Sequence, residues 1–140
     1  MAEDSTIPEL EEAVRRSVEA FSRRDFDGGL AIHWPDAVWD TTPQGMGVFE
    51  GREAIRGFLQ DWLGAYEDYE QVIEEFCHPG NGVTFGVLRQ RGRLPGSSGS
   101  VEVGWAAVLI WRNGLVERGV AYTDIDEARA AAVRLAEERG

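Results

Sequence analysis

Residues 101–122, VEVGWAAVLIWRNGLVERGVAY, constrain the fold more than any other stretch. Two runs of strand-forming residues are joined by Asn113-Gly114, a pair whose tolerance of positive φ favours a tight two-residue hairpin. Successive side chains of a strand point to opposite sides. In the first run Val101, Val103, Trp105, Ala107, Leu109 and Trp111 share one side, and Glu102, Gly104, Ala106, Val108, Ile110 and Arg112 the other. The first set is larger and more apolar, so it is assigned to the concave side of a curved sheet. Val108 and Ile110 on the second set then suit contact with another copy of the chain. The same alternation in VTFGVLRQRGR turns Thr84, Gly86, Leu88 and Gln90 inward and Arg89 and Arg91 outward. In the last strand Gly119, Ala121 and Thr123 face in, while Arg118, Val120 and Tyr122 face a partner. Small residues on that inner stripe leave room for a ligand.

The strands follow helices. TIPELEEAVRRSVEAFSRRD opens with a capping box, Thr6 with Glu9, and carries Pro8 in its first turn, where a missing N–H costs nothing. Leu10, Val14, Ser17, Val18 and Phe21 form its apolar face. Ser17 on that stripe reads either as a core serine bonded to the carbonyl one turn earlier or as a group lining a pocket. Asp25 or Asp27 caps a short second helix, FDGGLAIHW, expected to end before Pro35. DAVWD is a short strand, and a Thr, Pro and Gly loop follows it. REAIRGFLQDWLGAY is the third helix, with Ile55, Phe58, Leu59, Trp62 and Tyr66 on its apolar side. YEQVIEEFCH is a strand ending at Pro79, PGNG is a turn, and LPGSSGS is a hairpin loop. DEARAAAVRLAEERG is a terminal helix of good helix formers. Helices followed by consecutive antiparallel strands argue for α+β: a curved sheet with helices on one face and a pocket at the mouth of the cone.

The 140 residues fit a single domain over 1–140. No apolar run approaches the ~20 residues that span a bilayer, and the acidic start has no signal-peptide core. Fourteen Lys and Arg against twenty-five Asp and Glu give a net charge of −11, which repels phosphate backbones and anionic membranes. Neither nucleic acid nor membrane is expected as a partner. Cys77 is the only cysteine, and a cytoplasmic, reducing setting fits.

SRRDFDGGLAIHWPDAVWD, FEGREAIRGFLQDWL, RQRGRLPGSSGSVEV and WRNGLVERGVAYTDIDEA together resemble the SnoaL-like polyketide cyclase family of the nuclear transport factor 2-like, or ketosteroid isomerase-like, superfamily. The likeness runs from about residue 10 to 130. It implies a cone-shaped α+β barrel, commonly a homodimer through the outer face of its sheet, and it implies no single activity. It places Asp40 where the isomerases keep their general base. Ser17 falls at the position of their tyrosine and Ala107 at that of their protonated acid, so both strong oxyanion donors are missing. Leu88, Gln90 and Ala121 stand where limonene epoxide hydrolases carry the Arg and two Asp that activate water. Ala121 also stands at the acidic position of the cyclases, with Asp124 three residues on.

Asp40 therefore has two readings. In one it faces the cone, with Val38 beside it and Trp39 turned away, and is a base whose pKa desolvation raises near Trp105 and Trp62. In the other its carboxylate caps the turn through Thr42. Cys77 and His78, adjacent in a strand, point apart and make a poor nucleophilic pair. His33, placed where the second helix exits beside Trp34, and His78 lack metal-ligand spacing, so no metal is expected. Arg89, Arg91 and Arg93 are expected to pair with glutamates across a dimer. The reading is an apolar pocket lined by Ser17, Trp62, Leu88, Gln90, Trp105, Ala107, Leu109, Ala121 and Thr123. It takes an apolar, oxygenated or carbonyl-bearing molecule with no cofactor and Asp40 as catalytic residue. The alternative is a noncatalytic binding or dimerisation module.

Overall fold

In the structure, a computed structural model describing residues 7–140, four helices pack on a six-stranded sheet. Thr6, half of the expected capping box, lies outside the described residues. Helix α1 (Ile7–Ser22) buries Leu10, Val14, Ser17 and Val18 at the expected spacing. Arg24, with φ of 63°, turns the chain. Its guanidinium donates to the carbonyls of Leu63 and Tyr66 at 2.7 and 2.6 Å, filling acceptors that the end of α3 leaves open. Asp25 caps α2 (Phe26–Leu30) by accepting from the Gly28 N–H at 3.0 Å.

Helix α2 stops at Leu30, and β1 begins at His33 and runs to Asp40. The expected helix through Trp34 is therefore strand, because that segment finds a sheet neighbour and pairs His33 with Val116. β2 (Val48–Glu50) returns beside β1, and α3 (Arg52–Gly64) follows. Gly51 before α3 has φ of 89°, a conformation that favours glycine. Then come β3 (Asp68–Gly80), β4 (Val83–Arg93), β5 (Val101–Arg112), β6 (Leu115–Tyr122) and α4 (Ile125–Arg139). Asn113 and Gly114 both take positive φ, 51° and 82°, so the β5–β6 hairpin forms as its sequence predicts.

The strand order is β2-β1-β6-β5-β4-β3, an open, curved sheet. All neighbours are antiparallel except β1 and β6. That parallel pair departs from a purely consecutive antiparallel order. It arises because β1 enters from α2 and can only join the far side of the last hairpin.

The inner face of β4–β6 packs on α1. Leu88, Ala107, Leu109 and Trp111 cluster with Leu10, Val14, Val18 and Val116. The outer face is not left for a second copy as expected. Helix α4 lies across it and seats Ala128, Ala132 and Ala136 on Val83, Phe85, Val87, Ala106 and Val108. Val108 is 2% exposed, covered by this chain's own helix. Helices thus flank both faces. The β3–β4 turn pins the end of α4, with Asn81 donating to the Ala136 carbonyl at 2.6 Å and Arg139 to the Asn81 carbonyl at 2.9 Å. Where α4 does not reach, the outer face is a lattice of ion pairs within the chain. Arg89 pairs with Glu74 at 3.0 Å, Arg91 with Glu70 at 3.2 Å, and Arg93 with Glu67 and Asp68 at 2.7 and 2.8 Å. These arginines have their glutamates on neighbouring strands and need none from a partner.

Candidate functional site

Between the inner face of the sheet and helices α1 and α3 lies a cavity of about 320 Å³. Strand alternation supplies its walls. From β4 come Thr84, Gly86, Leu88 and Gln90, from β5 Val103, Trp105, Ala107 and Leu109, and Ala121 and Thr123 come from the end of β6. Helix α1 contributes Ser17 and Phe21, and α3 contributes Phe58 and Trp62. Thus Ser17, Trp62, Leu88, Gln90, Trp105, Ala107, Leu109, Ala121 and Thr123 meet around one space. Trp111, on the same side of β5, does not reach it. Its indole N–H donates to the Thr84 hydroxyl at 2.8 Å and the ring is buried in the core.

Asp40 does not join them, and this corrects the inward orientation considered for it. Neighbours across a sheet share a face. β1 pairs Trp39 with Gly119 and Asp40 with Val120. Gly119 belongs to the inner stripe and Val120 to the outer, so Trp39 lines the cavity and Asp40 turns away from it. A side chain on Gly119 would run into the Trp39 ring and come within 3.1 Å of Leu109. The indole needs that glycine, and it crosses Trp105 edge to face with centroids 6.3 Å apart.

On the outer side the Asp40 carboxylate is fully engaged. It accepts from the Thr42 N–H at 2.9 Å, the Thr42 hydroxyl at 2.7 Å and the Arg118 guanidinium at 2.8 Å. Burial pushes its pKa up, but the bonds from Thr42 and the charge of Arg118 together hold it below the ordinary carboxylate value. This is the turn cap of the second reading with an ion pair added. Arg118 is accordingly occupied inside its own chain. Asp124 is also spoken for, capping α4 by accepting from the Glu127 N–H at 3.0 Å. Cys77 sits on the α4 side, where burial and Glu75 raise its pKa.

The polar groups of the cavity are few. Ser17 donates to the Gly29 carbonyl at 2.7 Å, across to α2 and not back along its own helix. Tyr69 donates to the Gln90 carbonyl oxygen at 3.3 Å, and burial followed by Tyr66 raises its phenol pKa. His33 also lines the cavity, which its expected place at a helix exit did not anticipate. The imidazole is 7% exposed, and desolvation lowers its pKa to about 4, so it is neutral at ordinary pH. A lone histidine carries no spacing signal, and only the register of β1 reveals its place. Trp39 had a signal: a glycine inside an apolar strand marks a close approach, and that glycine is Gly119. Among the described residues no three His, Cys, Asp or Glu side chains gather as a metal site would require.

A family model for the SnoaL-like domain matches residues 14–119. The chain belongs to the SnoaL-like family. Solved structures with the same fold surround this SnoaL-like domain. An NTF2-like protein of unknown function from Burkholderia pseudomallei is 23% identical, with 89% of this chain and 97% of that one covered and a TM-score of 0.70. A protein with a ketosteroid isomerase-like fold from Catenulispora acidiphila, solved with trimethylamine, is 17% identical over 91% and 94% of the two chains, TM-score 0.71. An LEH-like epoxide hydrolase from M. tuberculosis is 17% identical over 91% and 92%, TM-score 0.68. At these identities the likeness is one of fold. A comparison with proteins of curated function gave no match. No helix among the described residues of the SnoaL-like domain is long and apolar enough to cross a membrane.

Proposed function

We propose that this SnoaL-like domain binds an uncharged, predominantly apolar small molecule bearing oxygen in the cavity between its sheet and helices. One observation carries the proposal: no Asp, Glu, Lys or Arg lines that cavity. An ionised ligand would surrender its hydration there and find no countercharge. An apolar ring system would instead gain the surfaces of Trp39, Trp62, Trp105 and Leu88, with Gln90, Ser17 and Thr123 as polar points.

Carboxylate acid–base chemistry is not part of this reading. A general base has to reach the proton it removes, directly or through one water. The Asp40 oxygens are committed to Thr42 and Arg118 on the other side of β1. Leu88, Gln90 and Ala121 cannot activate water as an Arg and two Asp would. The reading favoured is thus the binding module. A homodimer remains part of it, placed on the charged outer strip of Arg89, Arg91, Glu70 and Glu74 that α4 leaves uncovered.

Tryptophan fluorescence tests the proposal, since Trp39 and Trp105 face the ligand. Titration with 1-tetralone should quench emission saturably, and titration with 1-naphthoate at pH 7 should do so at least about tenfold more weakly. Saturation by the carboxylate at equal or lower concentration, or no saturation by the ketone, overturns the reading.

A further inference from the structure

Among the described residues three buried side-chain nitrogens have no hydrogen-bond partner: His33 Nδ1, Trp105 Nε1 and His78 Nε2. Folded proteins leave few such atoms unpaired, because each forfeits its hydration without return. Two of the three belong to residues on the wall of one cavity. The pairing register separates them along it. His33 lies level with Val116 and Trp111, whereas Trp105 lies level with Leu88, nearer the Gln90 end of β4.

The two nitrogens ask for different partners. An indole N–H only donates, so Trp105 calls for an oxygen acceptor. A neutral imidazole has one donating and one accepting nitrogen, so His33 is complemented by a group that can donate, which a ketone or ether oxygen cannot do. The groups around His33 do not supply one. The Arg52 guanidinium is used on the His33 backbone carbonyl at 2.9 Å, and the nearby Leu30 carbonyl is itself an acceptor.

We propose, resting on the binding reading above, that His33 and Trp105 are specificity-determining residues that select a neutral hydroxyketone: the ligand's hydroxyl pairs with the His33 imidazole and its carbonyl oxygen accepts from the Trp105 indole N–H. Both nitrogens are screened from water. Bonds made to them are therefore not shared with solvent, and small rotations of the rings bring them to a ligand packed against the wall. The apolar stretch between them, with Trp39, Ala107 and Leu109, accommodates the hydrocarbon frame.

Calorimetric titration with 6-hydroxy-1-tetralone, 6-methoxy-1-tetralone and 1-tetralone tests this on the unaltered protein. The hydroxyketone should bind at least about tenfold more tightly than either companion. In His33→Phe that preference should vanish while 1-tetralone keeps its affinity. In Trp105→Phe all three should weaken together, with the hydroxyl preference kept. Far-UV circular dichroism shows whether each variant is folded, and the ligand series on the unaltered protein decides the matter if one is not. Equal affinity for the three ketones overturns this inference and leaves the binding reading standing. Failure of all three to bind overturns both.

Discussion

At the scale of single residues, the pair of Trp39 and Gly119 decides which side of β1 is functional. Gly119→Ala places a methyl where the indole lies. It should cost about 1–3 kcal/mol, seen as a lowered urea midpoint, and should shift tryptophan emission. Asp40→Asn should do something different. It weakens a turn and a half-exposed ion pair, whose Asp40 side chain is 14% exposed and whose Arg118 is 42% exposed. The expected loss is about 1 kcal/mol or less, with 1-tetralone affinity unchanged in the fluorescence titration. His33 makes a pH prediction. Between pH 6.5 and about 4 the unfolded chain takes up a proton on this residue that the folded chain refuses. Stability should therefore be fully present above that window and fall as pH drops through it, by up to roughly 3 kcal/mol. Urea melts at pH 7 and pH 4.5 should show a smaller difference in His33→Phe than in the unaltered protein. The low pKa of Asp40 acts at lower pH, below the ordinary carboxylate value, so the two are separable.

At the scale of elements, the inner faces of β4, β5 and β6 were legible because their alternation is lopsided. Leu88, Trp105 and Leu109 stand against Arg89, Glu102 and Gly104, and a slip by one residue would drown charges in the core. β1 offers no such contrast. Ala37 and Trp39 on one side and Val38 and Asp40 on the other both include apolar members, so only pairing to a strand far along the chain orients it. Helix α4 was legible as a helix but not as a cover. Its packed face is alanine, whose small size reads as mere helix propensity yet allows close approach to Phe85 and Val108. Ala132, fully buried, has no room for more. Ala132→Leu should lift α4, cost about 1–3 kcal/mol in urea melts and speed hydrogen exchange in β4 and β5.

At the scale of the whole molecule, an acidic exterior surrounds a cavity with no charge of its own. The core, the cavity and the parallel pair share one cooperative unit, so a ligand in the cavity should stabilise everything. At about 100 times its Kd, 1-tetralone should add ~2.7 kcal/mol, read as a rise of roughly 3–5 °C in Tm. A matched carboxylate should leave Tm nearly unmoved. The parallel pairing of β1 with β6 also sets an order of events during synthesis. The segment carrying Trp39 leaves the ribosome early, yet the glycine it must rest on arrives with almost the last strand. Until then no receptacle exists, and a chain cut short before β6 would display an orphan indole instead of a binding chamber.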